Sequence, residues 1–169
     1  MHHRFTILFS SILLCISCNL GPRPEDAVKF NDIIVMKQDT FYIFLEQCIT
    51  LMEQEAPAKS VHKQFNNFLN YTQKTIDFFE SHPPFDDTDE IRMAAIKFFS
   101  TQYSLLESEM KTIITLYSLP PSEISINDEN KWDSIMTLIM FKDSTASNAF
   151  LIQQQKFSER YGITLREID

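Results

Sequence analysis

Apolar residues recur along most of this chain at steps of three and four, the period of a helix with one buried face. Beyond a short N-terminal run, the first such stretch opens at Pro24, with Glu25 and Asp26 placed favourably against a helix N-terminus. Its stripe runs Ala27, Phe30, Ile34, Phe41, Leu45, Cys48 and Met52. Lys37 interrupts the stripe, so a kink or register shift is expected there, and Ala56-Pro57 closes the helix. A second helix is expected from Ala58 to Ser81 on Val61, Phe65, Phe68, Thr72, Ile76 and Phe79, with Lys59, His62, Lys63 and Lys74 as a solvated basic side. His82-Pro83-Pro84-Phe85-Asp86-Asp87 is the clearest break. Asp87 and Glu90 then have capping-box spacing ahead of a third helix, which carries Ile91, Ala95, Phe98, Leu105, Leu106, Met110, Ile113 and Tyr117 and stops at Leu119-Pro120-Pro121. Ser125 or Asn127 is placed to cap a fourth helix on Trp132, Ile135, Met136, Ile139, Ala146, Phe150, Gln153 and Phe157. Gly162 suits its left-handed end. The small, polar middle of that helix, Lys142 to Asn148, predicts packing that is either close or loose.

Four amphipathic helices joined by short Pro-containing breaks predict an all-α fold, an elongated antiparallel four-helix bundle over residues 24–165. At 1.5 Å per residue the rod would be roughly 35 to 50 Å long. Composition narrows the alternatives. Only two glycines occur, Gly21 and Gly162, which leaves no Gly-rich phosphate loop and no glycine-turn hairpin between them. The formal charge of −8 argues against a nucleic-acid partner, which calls for a basic patch, and against electrostatic docking to anionic lipid.

The run from Phe5 to Ile16 follows a short basic start at Arg4 and precedes Gly21-Pro22. It is too short to span about 30 Å of hydrocarbon, and its position suits the apolar part of a secretory leader better than a core helix. It ends in Cys15-Ile16-Ser17-Cys18, which resembles the lipobox of bacterial lipoproteins. In that family a small residue precedes an obligatory cysteine whose thiol takes a diacylglycerol before cleavage. Ser17 fills the small position, while Cys15 stands where the family prefers Leu; Cys15 itself follows the bulky Leu14 and makes a poor acceptor. The resemblance implies a cleaved signal peptide at residues 1–17, lipidation at Cys18 and a short tether over residues 18–23. Losing Arg4 would take the charge to about −9. With Asn19 rather than Asp after Cys18, the resemblance favours the outer membrane, on its periplasmic face or at the cell surface. The first acids, Glu25 and Asp26, stand too far on to favour surface display. Pro84-Phe85, Met93 to Phe99, Lys156-Phe157 and Tyr161 to Leu165 also resemble a family of small helical lipoproteins of spirochaetes and Bacteroidetes-type bacteria, to which no activity is attached.

Candidate chemistry is sparse. Once Cys15 leaves with the leader and Cys18 carries lipid, Cys48 has no disulfide partner, and its apolar surroundings predict a buried small hydrophobe. Bundle metal sites need Glu-x-x-His repeats, and none occurs, so no metal and no cofactor is expected. The acids at Asp86, Asp87, Asp89 and Glu90, and at Asp128 and Glu129, fall at helix starts, where capping accounts for them. Phe78-Phe79 and Phe98-Phe99 are adjacent pairs that cannot both face a narrow seam, so one ring of each is expected to be partly exposed. No catalytic residue emerges. The chain reads as a membrane-anchored, non-enzymatic envelope protein that binds another envelope protein. The alternative is a carrier or sensor of an apolar ligand, which would need a cavity of about 300 Å³ or more inside the bundle.

Overall fold

The protein is described over residues 21–165 from a computed structural model. The leader, Cys15 and Cys18 lie outside the described residues. Every regular element among those residues is helical: α1 (Pro24–Glu53), α2 (Ala58–Ser81), α3 (Glu90–Leu105), a π-turn (Leu106–Met110), α4 (Lys111–Tyr117), a 3-10 turn (Pro121–Glu123) and α5 (Ile126–Tyr161). The segments α3, π-turn and α4 follow without a break and form one rod, so four helical rods pack together as a helical bundle.

The ends of the rods follow from local chemistry. α1 stops in a Schellman arrangement, with Glu55 in the left-handed region at φ 52° and the Ala56 amide donating to the Leu51 carbonyl at 3.0 Å. Pro57 then blocks continuation. The α2–α3 break is organised by Asp86, whose Oδ1 accepts from the Thr88 amide, the Thr88 hydroxyl and the Asp89 amide. Asp87 therefore does not cap α3. The helix begins later, at Glu90, after Asp89 in a left-handed conformation, and the Asp89 carboxylate instead pairs with the Arg92 guanidinium. Ser125 does cap α5, in a reciprocal box with Asp128. Gly162 ends α5 at φ 62°, and Ile163 beyond it donates to the Ser158 carbonyl at 3.0 Å.

α1 runs unbroken through Lys37. Its ammonium lies 5.0 Å from the Phe78 ring centroid, and the Tyr71 hydroxyl donates to its carbonyl at 3.0 Å. A cation–π contact at a half-buried ring accommodates the charge without a kink. The core is rich in phenylalanine: Phe41, Phe68, Phe79, Phe98 and Phe99 are buried and meet at ring centroid distances from 4.7 to 6.4 Å. Phe78 is half-buried, as its pairing with Phe79 predicts. Phe98 and Phe99, in contrast, are both buried, because α3 has α2 on one side and α5 on the other. A rod with two packed sides has room for adjacent rings.

α1 packs along α2, α2 along α3, and α3 along α5, whereas α1 and α5 meet only sparsely. Two contact sets define the ends of the bundle. Phe30 stacks on Phe85 and His82, and Phe85 meets Phe157 and Tyr161, which brings the start of α1, the α2–α3 break and the end of α5 together. At the other end the Tyr117 hydroxyl donates to the Ala56 carbonyl at 2.6 Å, tying the end of α4 to the α1–α2 turn.

Candidate functional site

The sparse α1–α5 contact has a structural consequence. From Ile126 to Ala149 no residue of α5 is buried; Phe150, Gln154 and Phe157, all in its second half, are. The first half rides over the π-turn and α4 on half-buried Trp132, Ile135, Met136 and Ile139. Between it and α1 lies a crevice of about 470 Å³. Phe41, Leu45, Ile49 and Met52 line it from α1, Leu105, Leu106, Met110 and Tyr117 from the middle rod, and Trp132, Met136, Ile139 and Met140 from α5. A wall of this kind is what an apolar ligand needs, and the volume lies within the range of small-molecule sites. The methionines add adaptability, since an unbranched thioether chain can follow an irregular surface.

The π-turn belongs to this wall. In the middle rod Phe98, Gln102, Leu106, Met110 and Ile114 are buried at steps of four. Each step overshoots a regular helical turn by about 40°, so in an unbroken α-helix the row would rotate away from the core. The wider turn at Leu106–Met110 takes up the excess and keeps Leu106 and Met110 facing the crevice. The run of four-residue steps was the signal in the sequence that could have disclosed it.

A polar pair closes the crevice on the side toward the second half of α5, where the Gln102 side-chain amide donates to Asp143 Oδ1 at 2.6 Å. Beyond it Tyr42 and Ser147 share a hydrogen bond of 3.3 Å, and away from the crevice Lys142 pairs with Glu109 of the π-turn. Burial, together with the nearby Asp143 carboxylate, raises the Tyr42 phenol above its ordinary value and keeps it protonated. Deeper along the same seam, Gln154 donates to Asn31 at 3.3 Å. The α1–α5 seam thus carries the hydrogen bonds Tyr42–Ser147 and Asn31–Gln154, where α2 and α3 meet through stacked phenylalanines such as Phe79 and Phe99, so it contributes less hydrophobic stabilisation per unit area.

A second recess, of about 660 Å³, adjoins the crevice where Tyr117 and Trp132 line both. It is formed by the α1–α2 turn, Leu116 to Pro121 and the start of α5. A third, shallower groove of about 470 Å³ runs between α3 and α5, where Ala146 and Ala149 face Ala94 and Phe98. The small residues in the middle of α5 therefore give loose packing.

The remaining candidates from the sequence stay apart. Cys48 is fully buried, and burial pushes its thiol up to about 11, which makes it an inert core group. His62 meets Ser118 at one end of α2 and His82 stacks on Phe30 at the other. Among the described residues no three His, Cys, Asp or Glu side chains converge to hold a metal. Asp86 is more than a turn residue: its Oδ2 accepts from the Tyr161 hydroxyl at 2.7 Å and from Arg160 at 3.2 Å, while Arg160 also reaches Glu90 at 2.6 Å. Burial would raise the Asp86 carboxyl, but the hydrogen bonds from Thr88, Tyr161 and the two backbone amides outweigh it and hold it well below the usual carboxylate range. This network fastens the end of α5 to the α2–α3 break. No helix among the described residues is long and apolar enough to cross a membrane. Comparison of the chain with protein-family models, with curated proteins and with solved structures gives no match.

Proposed function

We propose that the protein is a lipid-anchored, non-enzymatic binding protein of the bacterial cell envelope that holds an apolar ligand in the crevice between α1, the π-turn and α5. One observation carries the ligand reading: a recess of about 470 Å³ whose wall is almost wholly Leu, Ile, Met and aromatic. The anchor rests on the leader and on Cys18, and places the protein at the outer membrane, on its periplasmic face or at the surface. The helices are read as an elongated antiparallel four-helix bundle, with support from the aromatic cluster at one end and the Tyr117–Ala56 bond at the other. A titration with N-phenyl-1-naphthylamine tests the crevice. The wild type should show one saturable site, and Ile139→Trp, which fills the space, should abolish it without loss of helicity. Absence of saturable binding, or binding indifferent to the filling substitution, sinks the reading. Mass spectrometry of the mature N-terminus tests the anchor: a diacylglyceryl-modified Cys18 is expected, and an intact Met1 or an unmodified Asn19 as first residue refutes it.

A second reading has its own observation. Met140 and Phe141 on α5 are 69% and 70% exposed, more than a soluble helix needs, and an envelope protein could cover them. A photo-cross-linker at position 141 in the native envelope should capture one reproducible partner; its failure counts against this second role and leaves the ligand reading standing.

A further inference from the structure

The linings of the crevice and its adjoining recess point to the kind of ligand. The crevice lining holds two carboxylates, Glu53 and Asp143, and the recess beside it adds three, Glu55, Asp128 and Glu129, to a wall that is otherwise largely Ala, Leu, Pro and Ile. No Lys, Arg or His lines either space among the described residues. Three basic residues stand nearby, exposed and outside both linings: Lys131, whose field reaches Asp128, Lys59 next to Ala58, and His62, which bonds Ser118 at 3.0 Å. The two spaces meet at Tyr117 and Trp132, which line both.

We propose, on the basis of the ligand reading above, that the ligand is a single-chain amphiphile with a cationic head: its hydrocarbon body lies in the crevice and its ammonium group in the acidic recess. Apolar surface alone would accept any hydrocarbon, so the carboxylates decide the head group. An anionic head would face carboxylates in both linings, with no basic side chain among the lining residues to pair it. An ammonium would be drawn by those carboxylates and would lie beside Trp132 and Tyr117, aromatic side chains of the kind that attract cations through the ring quadrupole. The Asp128 carboxylate stays ionised because the Ser125 hydroxyl and amide hold it below the ordinary carboxylate range. Charge complementarity and the adjoining apolar space together select a cationic amphiphile.

Trp132 is the only tryptophan in the chain, so its emission reports directly from the junction of the two spaces. The purified full-length chain would be titrated, below micellar concentrations, with octyltrimethylammonium, octyl glucoside and octyl sulfate. Octyltrimethylammonium should bind saturably and at least about tenfold tighter than octyl sulfate, with the glucoside between them, and the gap should narrow in high salt. In the triple variant Glu53→Gln, Glu55→Gln, Glu129→Gln the gap should shrink to within about threefold while glucoside affinity stays unchanged. That unchanged affinity is the control for folding, and the salt series on the wild type tests the same point without any substitution. Octyl sulfate binding as tightly as the ammonium, or a preference that survives both high salt and the triple variant, overturns the head-group assignment and leaves the crevice reading intact. No saturable response from any of the three overturns both.

Discussion

Phe99 is fully buried, stacks on Phe79 at 5.9 Å between centroids and meets Phe98 edge to face at 5.1 Å. Removing such a ring from a packed core leaves a cavity that the neighbours cannot close, so Phe99→Ala should cost about 3–5 kcal/mol in urea unfolding. Phe78, half-buried under Lys37, should cost roughly half as much or less. Asp86 makes a prediction with a sign. Its folded pKa is depressed below the ordinary value of about 3.9, so its stabilisation is present above that value and is lost as pH falls through the folded one. Asp86→Asn should therefore lower the urea midpoint most at neutral pH, and the difference from wild type should shrink progressively below about pH 4. A constant difference down to about pH 2 would mean that the carboxylate is not held by this network.

At the scale of the element, α5 is one continuous helix with two unequal halves. Phe150, Gln154 and Phe157 are buried and Arg160 is clamped to Asp86 and Glu90, whereas the half before Ala149 rests on partly covered side chains over an open space. Backbone amides from Trp132 to Met140 should exchange with deuterium faster than those from Phe150 to Phe157, and a bound crevice ligand should slow the first set selectively. Ser125→Ala, which removes the cap of that weaker half, should cost about 1 kcal/mol. Glu55 is a different case. A glycine would occupy its left-handed position without strain, so Glu55→Gly should stabilise the fold by about 0.5 kcal/mol, the steric penalty of about 1–2 kcal/mol less the entropy glycine adds to the unfolded chain. If the recess takes a cationic head, the same substitution should also weaken octyltrimethylammonium binding, coupling a gain in stability to a loss of affinity.

For the whole molecule, the contacts divide the bundle into a fastened end and an open one. The start of α1, the α2–α3 break and the end of α5 share an aromatic cluster and the Asp86–Arg160–Glu90 network. The crevice and the acidic recess lie toward the other end, by the α1–α2 turn and Pro120. The proposed anchor at Cys18 is only a few residues ahead of Pro24, so a lipidated protein would present its fastened end to the bilayer and its open end away from it. α1 would separate the two by about 45 Å at 1.5 Å per residue.

The hydrophobic periodicity alone located the four rods to within a few residues, because Pro57, the Pro83-Pro84 pair, Pro120-Pro121 and Gly162 punctuate them by backbone chemistry that needs no partner. The sequence also predicted the burial of Cys48 and narrowed the cap of α5 to Ser125 or Asn127, of which the structure uses Ser125. What it could not supply was which rods touch. Phe98 and Phe99 are both buried because α3 has helices on two sides, Asp86 rather than Asp87 organises the α2–α3 break and also holds the end of α5, and Leu106 and Met110 are held inward by a π-turn. The crevice is the extreme case. Its wall draws on residues as far apart as Phe41 and Asp143, and a space that no side chain fills leaves no mark on the pattern of those that do. Local steric and capping rules act over a few residues and can be read along the chain, whereas a void is a property of how whole helices meet.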